Sequence, residues 1–137
     1  MDQVRLMSAV PQFAVPDLVR TAEHYRDVLG FRIAGYWDGE RVSPDGSPAS
    51  VFAIVSRGDV EVFFNRAERP LVRRDRAVSG PDVYVRVTGI DALARELGAR
   101  GAEILDGPED RVYGQRELVV RDCNGLVLAF GEDTGRR

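Results

Sequence analysis

Residues 13–33, FAVPDLVRTAEHYRDVLGFRI, and residues 84–104, YVRVTGIDALARELGARGAEI, tell the same structural story twice. Each runs from an alternating apolar strand through a polar turn into an amphipathic helix, then reaches a Gly that opens another strand. In the first copy, a strand over 10–15 precedes Pro16-Asp17, and Leu18, Ala22, Tyr25 and Leu29 then recur at helical spacing. Asp17 is the expected N-cap and Gly30 the expected stop. In the second, Val83, Val85 and Val87 alternate, then Ile90, Leu93, Ala94 and Leu97 share a helical stripe. Thr88 or Asp91 is available to cap that helix, with Gly101 as its stop.

Further strands follow each helix, at 31–35, 51–55 and 60–64 in the first half and at 102–105, 117–120 and 126–130 in the second. The turns Arg57-Gly58-Asp59 and Asp122-Cys123-Asn124-Gly125 separate the last two strands of each half. Asn124-Gly125 reads as a hairpin turn because both residues tolerate positive φ. Each half is therefore β-α-β-β-β, and the fold class is α+β with paired βαβββ modules. A sheet covered by one helix leaves its other face to meet a second sheet, line a cavity or face water, so two modules can form a cup of mixed sheet.

The chain of 137 residues reads as a single domain, 1–137, with modules at about 8–65 and 80–132 and a connector over 66–79. Its 44% hydrophobic and 30% charged residues are those of an ordinary globular protein, with no bias toward disorder. A net charge of -3 gives no general attraction to nucleic acid or anionic lipid. The connector carries Arg66, Arg69, Arg73, Arg74 and Arg76, but Glu68 and Asp75 are interspersed, as on a solvated surface. Neither GxxxxGK nor GxGxxG occurs, so nucleotide-dependent chemistry is not expected. The single Cys excludes an internal disulfide, and no basic stretch followed by an apolar run opens the sequence. Cytoplasmic localisation without membrane insertion is the resulting expectation.

Strand parity nominates side chains for the cup. If Val83, Val85 and Val87 pack under the helices, Asp82, Tyr84 and Arg86 face the other way, as do Asp59, Glu61 and Phe63 opposite Val60, Val62 and Phe64. The same parity assigns Val10, Gln12 and Ala14 to the interior from the first strand, and Val127 and Ala129 from the last. Such a pocket has apolar and aromatic walls with polar handles, suited to a ligand having flat and polar parts. Arg86 is equally readable as the salt-bridge partner of Glu61 or Asp82. Residues 36–50 read as a hairpin with a disordered tip or as a lid, in which Trp37 anchors the loop, stacks on a planar ligand, covers the cup mouth or is buried at a subunit interface, and Phe52 supplies the nearby wall. Tyr113 and Arg116 precede a strand beside the pocket and could hold an anionic or carbonyl group. His24, inside the first helix with no partner spacing, reads as a surface or boundary residue, and Cys123 as an exposed thiol.

The paired modules, the PDL turn, EHYRDVLGF, RGDVEVFF and VYGQRELVVRDCNGLVLAFGE together resemble the vicinal oxygen chelate superfamily, which includes glyoxalase I, extradiol dioxygenases and bleomycin-resistance proteins. The likeness covers roughly residues 8–132. In metal-dependent members, four strands each give one ligand to a divalent ion, and that pattern falls here on Val10, Glu61, Asp82 and Ala129. Val and Ala offer no lone pair, so no metal and no other cofactor is expected. The resemblance is to the metal-free bleomycin-resistance branch, with RGDVEVFF as the shared segment. It implies a homodimer that sequesters a toxic or antibiotic-like small molecule. The alternative is a lyase or isomerase of the same superfamily, with Glu61 or Asp82 as general base and Arg86 or Tyr84 stabilising an oxyanion.

Overall fold

A computed structural model describes residues 3–68 and 80–136, and most of the connector, including Arg69, Arg73, Arg74, Asp75 and Arg76, lies outside the described residues. The first module runs β1 (Gln12–Val15), α1 (Leu18–Asp27), β2 (Arg32–Trp37), β3 (Val42–Ser43), β4 (Phe52–Arg57) and β5 (Val60–Arg66). The second runs β6 (Val83–Arg86), α2 (Ile90–Ala99), β7 (Glu103–Asp110), β8 (Gln115–Arg121) and β9 (Val127–Asp133). Two sheets result, ordered β1-β5-β4-β2-β3 and β6-β9-β8-β7. In each, the strand before the helix pairs in parallel with the last strand of its module, β1 with β5 and β6 with β9. The remaining pairs are antiparallel, so the repeat read from the sequence is a repeat of topology.

The helices pack on one face of each sheet, and their buried stripes merge into one hydrophobic core. Tyr25, Leu29 and Phe64 from the first module share it with Val85, Leu97 and Phe130 from the second. Tyr25 is central, with its ring edge-on to Phe64 at 4.9 Å and to Phe31 at 5.5 Å. Polar links close the seam. The Tyr25 hydroxyl donates to buried Asp122 at 2.7 Å, and Asn124 Nδ2 donates to Thr21 Oγ1 at 2.9 Å. On the other side of the seam, Arg57 reaches Glu96 through both guanidinium nitrogens, at 2.8 and 2.7 Å. Gly30 is required at that crossing. Its φ is +74°, and a Cβ there would overlap the Arg57 guanidinium.

Several local expectations are corrected. Asp17 does cap α1, accepting from Arg20 N–H at 3.1 Å. Neither Thr88 nor Asp91 caps α2, however. Gly89 occupies the N-cap with φ +82°, and the free amides of Gly89 and Ile90 donate to Glu132 at the end of β9. A carboxylate from a distant strand thus does the work of a local cap. At the second hairpin only Gly125 takes positive φ. Asn124 is held instead by its side chain on Thr21, while Asp122 Oδ1 accepts from the Asn124 and Leu126 amides. Cys123 is half-buried, not exposed, and burial pushes its thiol up. The segment after β2 forms the short strand β3, which pairs back on Tyr36 and Trp37.

His24 sits at the core boundary, and its Nε2 is buried without a hydrogen-bond partner. Burial holds the imidazole below its ordinary 6.5, against an upward pull from Asp122. The unfolded chain therefore takes up this proton at higher pH than the folded one. The contribution of neutral His24 is complete above its unfolded value and declines as pH falls through that value toward the lowered folded one. His24→Gln is expected to flatten the loss of stability between about pH 7 and pH 5, read from urea midpoints relative to the parent protein.

Candidate ligand-binding site

The faces turned away from the helices carry the chemistry. On the first sheet a β-bulge decides which side chains appear there. Ile33 pairs with Val55, but Gly35 pairs with Ile54, leaving Ala34 as the extra residue. Without it, Ile33 and Trp37 would share a face. With it, Ile33 packs toward the core while Trp37 sits opposite Phe52 on the open face. Gly35 keeps the surface low, since a Cβ would meet Val42 Cγ1 at 3.3 Å. The result is a hollow of about 360 Å³ lined by Ala34, Gly35, Tyr36, Trp37, Val42, Phe52 and Ile54. It is almost wholly apolar. Phe63 extends its wall, edge-on to Phe52 at 5.4 Å, and Gln12 stands beside it, donating to Asn65 at 3.2 Å.

The second sheet presents a polar counterpart. Across β6, β9 and β8, Tyr84 aligns with Ala129 and Val119, and Arg86 with Gly131 and Glu117. Glu117, only 7% exposed, accepts from the Tyr84 hydroxyl at 2.8 Å, the Tyr113 hydroxyl at 2.5 Å and Arg111 Nε at 3.2 Å. Burial alone would raise this carboxyl, but the bonds from Tyr113, Tyr84 and Arg111 together hold it below the usual range. Burial and the same bond push the Tyr84 hydroxyl up to about 12. Both phenols, though fixed in this way, stay accessible, Tyr84 at 43% and Tyr113 at 58% exposure. Arg116 is not part of this group, being paired with Asp91 and Asp110 at 3.0 and 3.1 Å.

Tyr84 reaches Glu117 only because residue 131 lacks a side chain, since a Cβ there would overlap the phenol oxygen. Gly131→Ala should therefore expel the ring and return Tyr84 titration from about 12 toward 10, read by NMR of the tyrosine ring.

At the seam, a hollow of about 360 Å³ is lined by residues of both modules, including Val10, Pro11, Glu61, Tyr84 and Arg86. It brings together several residues nominated by strand parity. Neither Glu61 nor Arg86 forms a hydrogen bond or ion pair among the described residues, which corrects the expected Arg86 salt bridge. Asp82 does not line this hollow. Its Oδ2 accepts from Val127 N–H at 2.9 Å, an oxygen spent on the β6–β9 junction. Ala129 is buried at 3% exposure. Among the described residues no three His, Cys, Asp or Glu side chains gather as a metal site would require, and Val10 and Ala129, two of the four positions the resemblance assigns to ligands, carry no donor atom in their side chains.

Sequence reasoning missed Glu117 and Arg111. Parity held the clue to the first, because within QRELVV the buried Leu118 and Val120 put Glu117 on the opposite face. Arg111 gave no such signal, as it enters from a loop through three carboxylates, Asp106, Glu109 and Glu117. No helix among the described residues is long and apolar enough to cross a membrane.

Comparison with known proteins agrees with this architecture. Residues 7–130 match the family described as the Glyoxalase/Bleomycin resistance protein/Dioxygenase superfamily. No curated protein matches the sequence. Among solved structures, the bleomycin-binding protein of bleomycin-producing Streptomyces verticillus, complexed with copper(II)-bleomycin, is 25% identical with a TM-score of 0.66. The alignment covers 93% of this chain and 97% of that one. TioX from Micromonospora sp. ML1 is 22% identical with a TM-score of 0.68, over 90% of this chain and 96% of that chain. A bleomycin-binding protein complexed with bleomycin gives 20% identity and a TM-score of 0.66, over 93% and 99%. The chain belongs to the glyoxalase/bleomycin resistance/dioxygenase superfamily.

Proposed function

From that membership we propose that the protein is a metal-independent binder of a bulky small molecule, one that sequesters a toxic or antibiotic-like compound in the cytoplasm, as a homodimer. The observation that carries this reading is the open apolar hollow of Trp37, Val42, Phe52 and Ile54, a surface suited to a flat ring system. The polar group of Tyr84, Tyr113 and Glu117 on the second sheet complements it with acceptors for the ligand's donors. Dimerisation would bring the open face of one copy against the other and cover exposed Trp37 and Val42. Val4, Leu6 and Met7, all strongly exposed ahead of β1, supply further apolar area for a second copy. Val10 and Ala129 at two of the four family ligand positions support metal independence.

The test is calorimetric titration of metal-free bleomycin into the purified protein, repeated at raised salt, with sedimentation to give the oligomeric state. Saturable binding near one site per subunit that survives salt is expected. No saturation by a folded protein would refute bleomycin-type sequestration, and a monomer at micromolar concentration would refute the dimer.

A further inference from the structure

The seam between the modules is bridged on both sides, by Asn124 on Thr21 at one and by Arg57 on Glu96 at the other, but the two turns differ in length. The β8–β9 turn runs from Asp122 to Leu126, long enough for Asn124 to reach Thr21, the fourth residue of α1. The β4–β5 turn is only Gly58-Asp59. It lines the same hollow as Leu93, the fourth residue of α2, and the link to that helix comes from Arg57 beside the turn, which holds Glu96. A hollow of about 310 Å³ lies there.

Its floor is apolar. Leu29, Val85 and Phe130 belong to the buried core, and Val60 and Leu93 pack against that core. Three charged residues also line it: Arg57 is held by Glu96, whereas neither Asp59 nor Arg86 makes a hydrogen bond or ion pair among the described residues. Opposite charges that share one hollow without pairing stand farther apart than an ion pair allows, leaving room for a molecule carrying both complementary charges. We propose that this hollow is a second binding site, separate from the Trp37 face, for a small zwitterion: an α-amino acid with an apolar side chain. Its carboxylate faces Arg86, its ammonium faces Asp59, and its side chain lies on Val60, Val85 and Leu93. Thr88, also in the lining, offers a hydroxyl to either group. The volume is at the small end for ligand sites, so a single amino acid fits better than a drug-sized molecule.

The experiment titrates L-leucine into the full chain by NMR, with 4-methylpentanoate and 3-methylbutylamine as probes that each keep one charge. Leucine is expected to saturate with Kd on the order of 0.1–1 mM, and each single-charge probe to bind about tenfold more weakly. Asp59→Asn, in an exposed turn, should reduce leucine affinity to that of the acid. Leu93→Trp, which fills the hollow, should abolish leucine binding while leaving bleomycin titration unchanged, since Leu93 lies outside the Trp37 hollow. Should Leu93→Trp fail to fold, Asp59→Asn decides alone. Equal binding of leucine and the single-charge probes, or no saturation by folded parent protein up to about 10 mM, would overturn the proposal. Loss of bleomycin binding with leucine binding intact would instead count only against the sequestration reading.

Discussion

Replacing Trp37 with Ala is expected to weaken binding of metal-free bleomycin about 100-fold while leaving the fold of each subunit intact by circular dichroism. The asymmetry follows from where the indole stands. It is 38% exposed on the open face and absent from the buried core, so truncation removes little of what holds the fold. For a planar ligand the same ring supplies one wall of the hollow, opposite Phe52 in register. Aromatic anchors at the centre of an apolar surface commonly dominate binding energy. Because Trp37 is the single Trp, calorimetry is the suitable readout rather than intrinsic fluorescence. A loss below about threefold would place the ligand elsewhere, and Gly131→Ala would then show whether the Tyr84 side of the second sheet holds it.

That Trp37 faces outward is not readable from sequence. Alternation through RIAGYW groups Ile33 with Trp37, and only the bulge at Ala34, set by pairing with β4, separates them. Where one segment carries its own instructions, sequence and structure agree. Leu18, Ala22 and Tyr25 mark the buried stripe of α1, with Leu29 buried just past its end, and the parity of VYVR places Tyr84 and Arg86 on the open face of β6. Where a feature needs a partner from elsewhere in the chain, they part. The cap of α2 comes from Glu132 across the sheet, Asp82 turns to the Val127 amide, and Arg111 is drawn to Glu117 by three carboxylates from separate positions. The repeat is legible because helical spacing and turn residues are local. The site is half legible because faces follow parity while contacts follow tertiary register.

The largest effect on folding is expected at Asp122, where substitution by Ala should cost about 3–5 kcal/mol, measured by urea denaturation. This carboxylate is 4% exposed and serves both modules at once. One oxygen accepts from the Asn124 and Leu126 amides at 2.8 and 2.9 Å, shaping the β8–β9 turn, and the other accepts from Tyr25 at 2.7 Å. Ala would leave the Tyr25 hydroxyl, in a side chain 1% exposed, without its acceptor, and would release the turn that carries Asn124 to α1. Tyr25→Phe removes only the donor and keeps the ring packed on Phe31 and Phe64, so about 1 kcal/mol is expected. In the double variant the two losses should sum to less than their separate values, because a ring without the hydroxyl no longer needs the missing carboxylate. Asp122→Asn belongs between them: its amide oxygen can still hold the turn, while its NH2 meets the tyrosine hydroxyl as a donor. If Asp122→Ala costs less than about 1 kcal/mol, the seam is held by apolar packing alone, and the polar links across it only set the alignment of the modules.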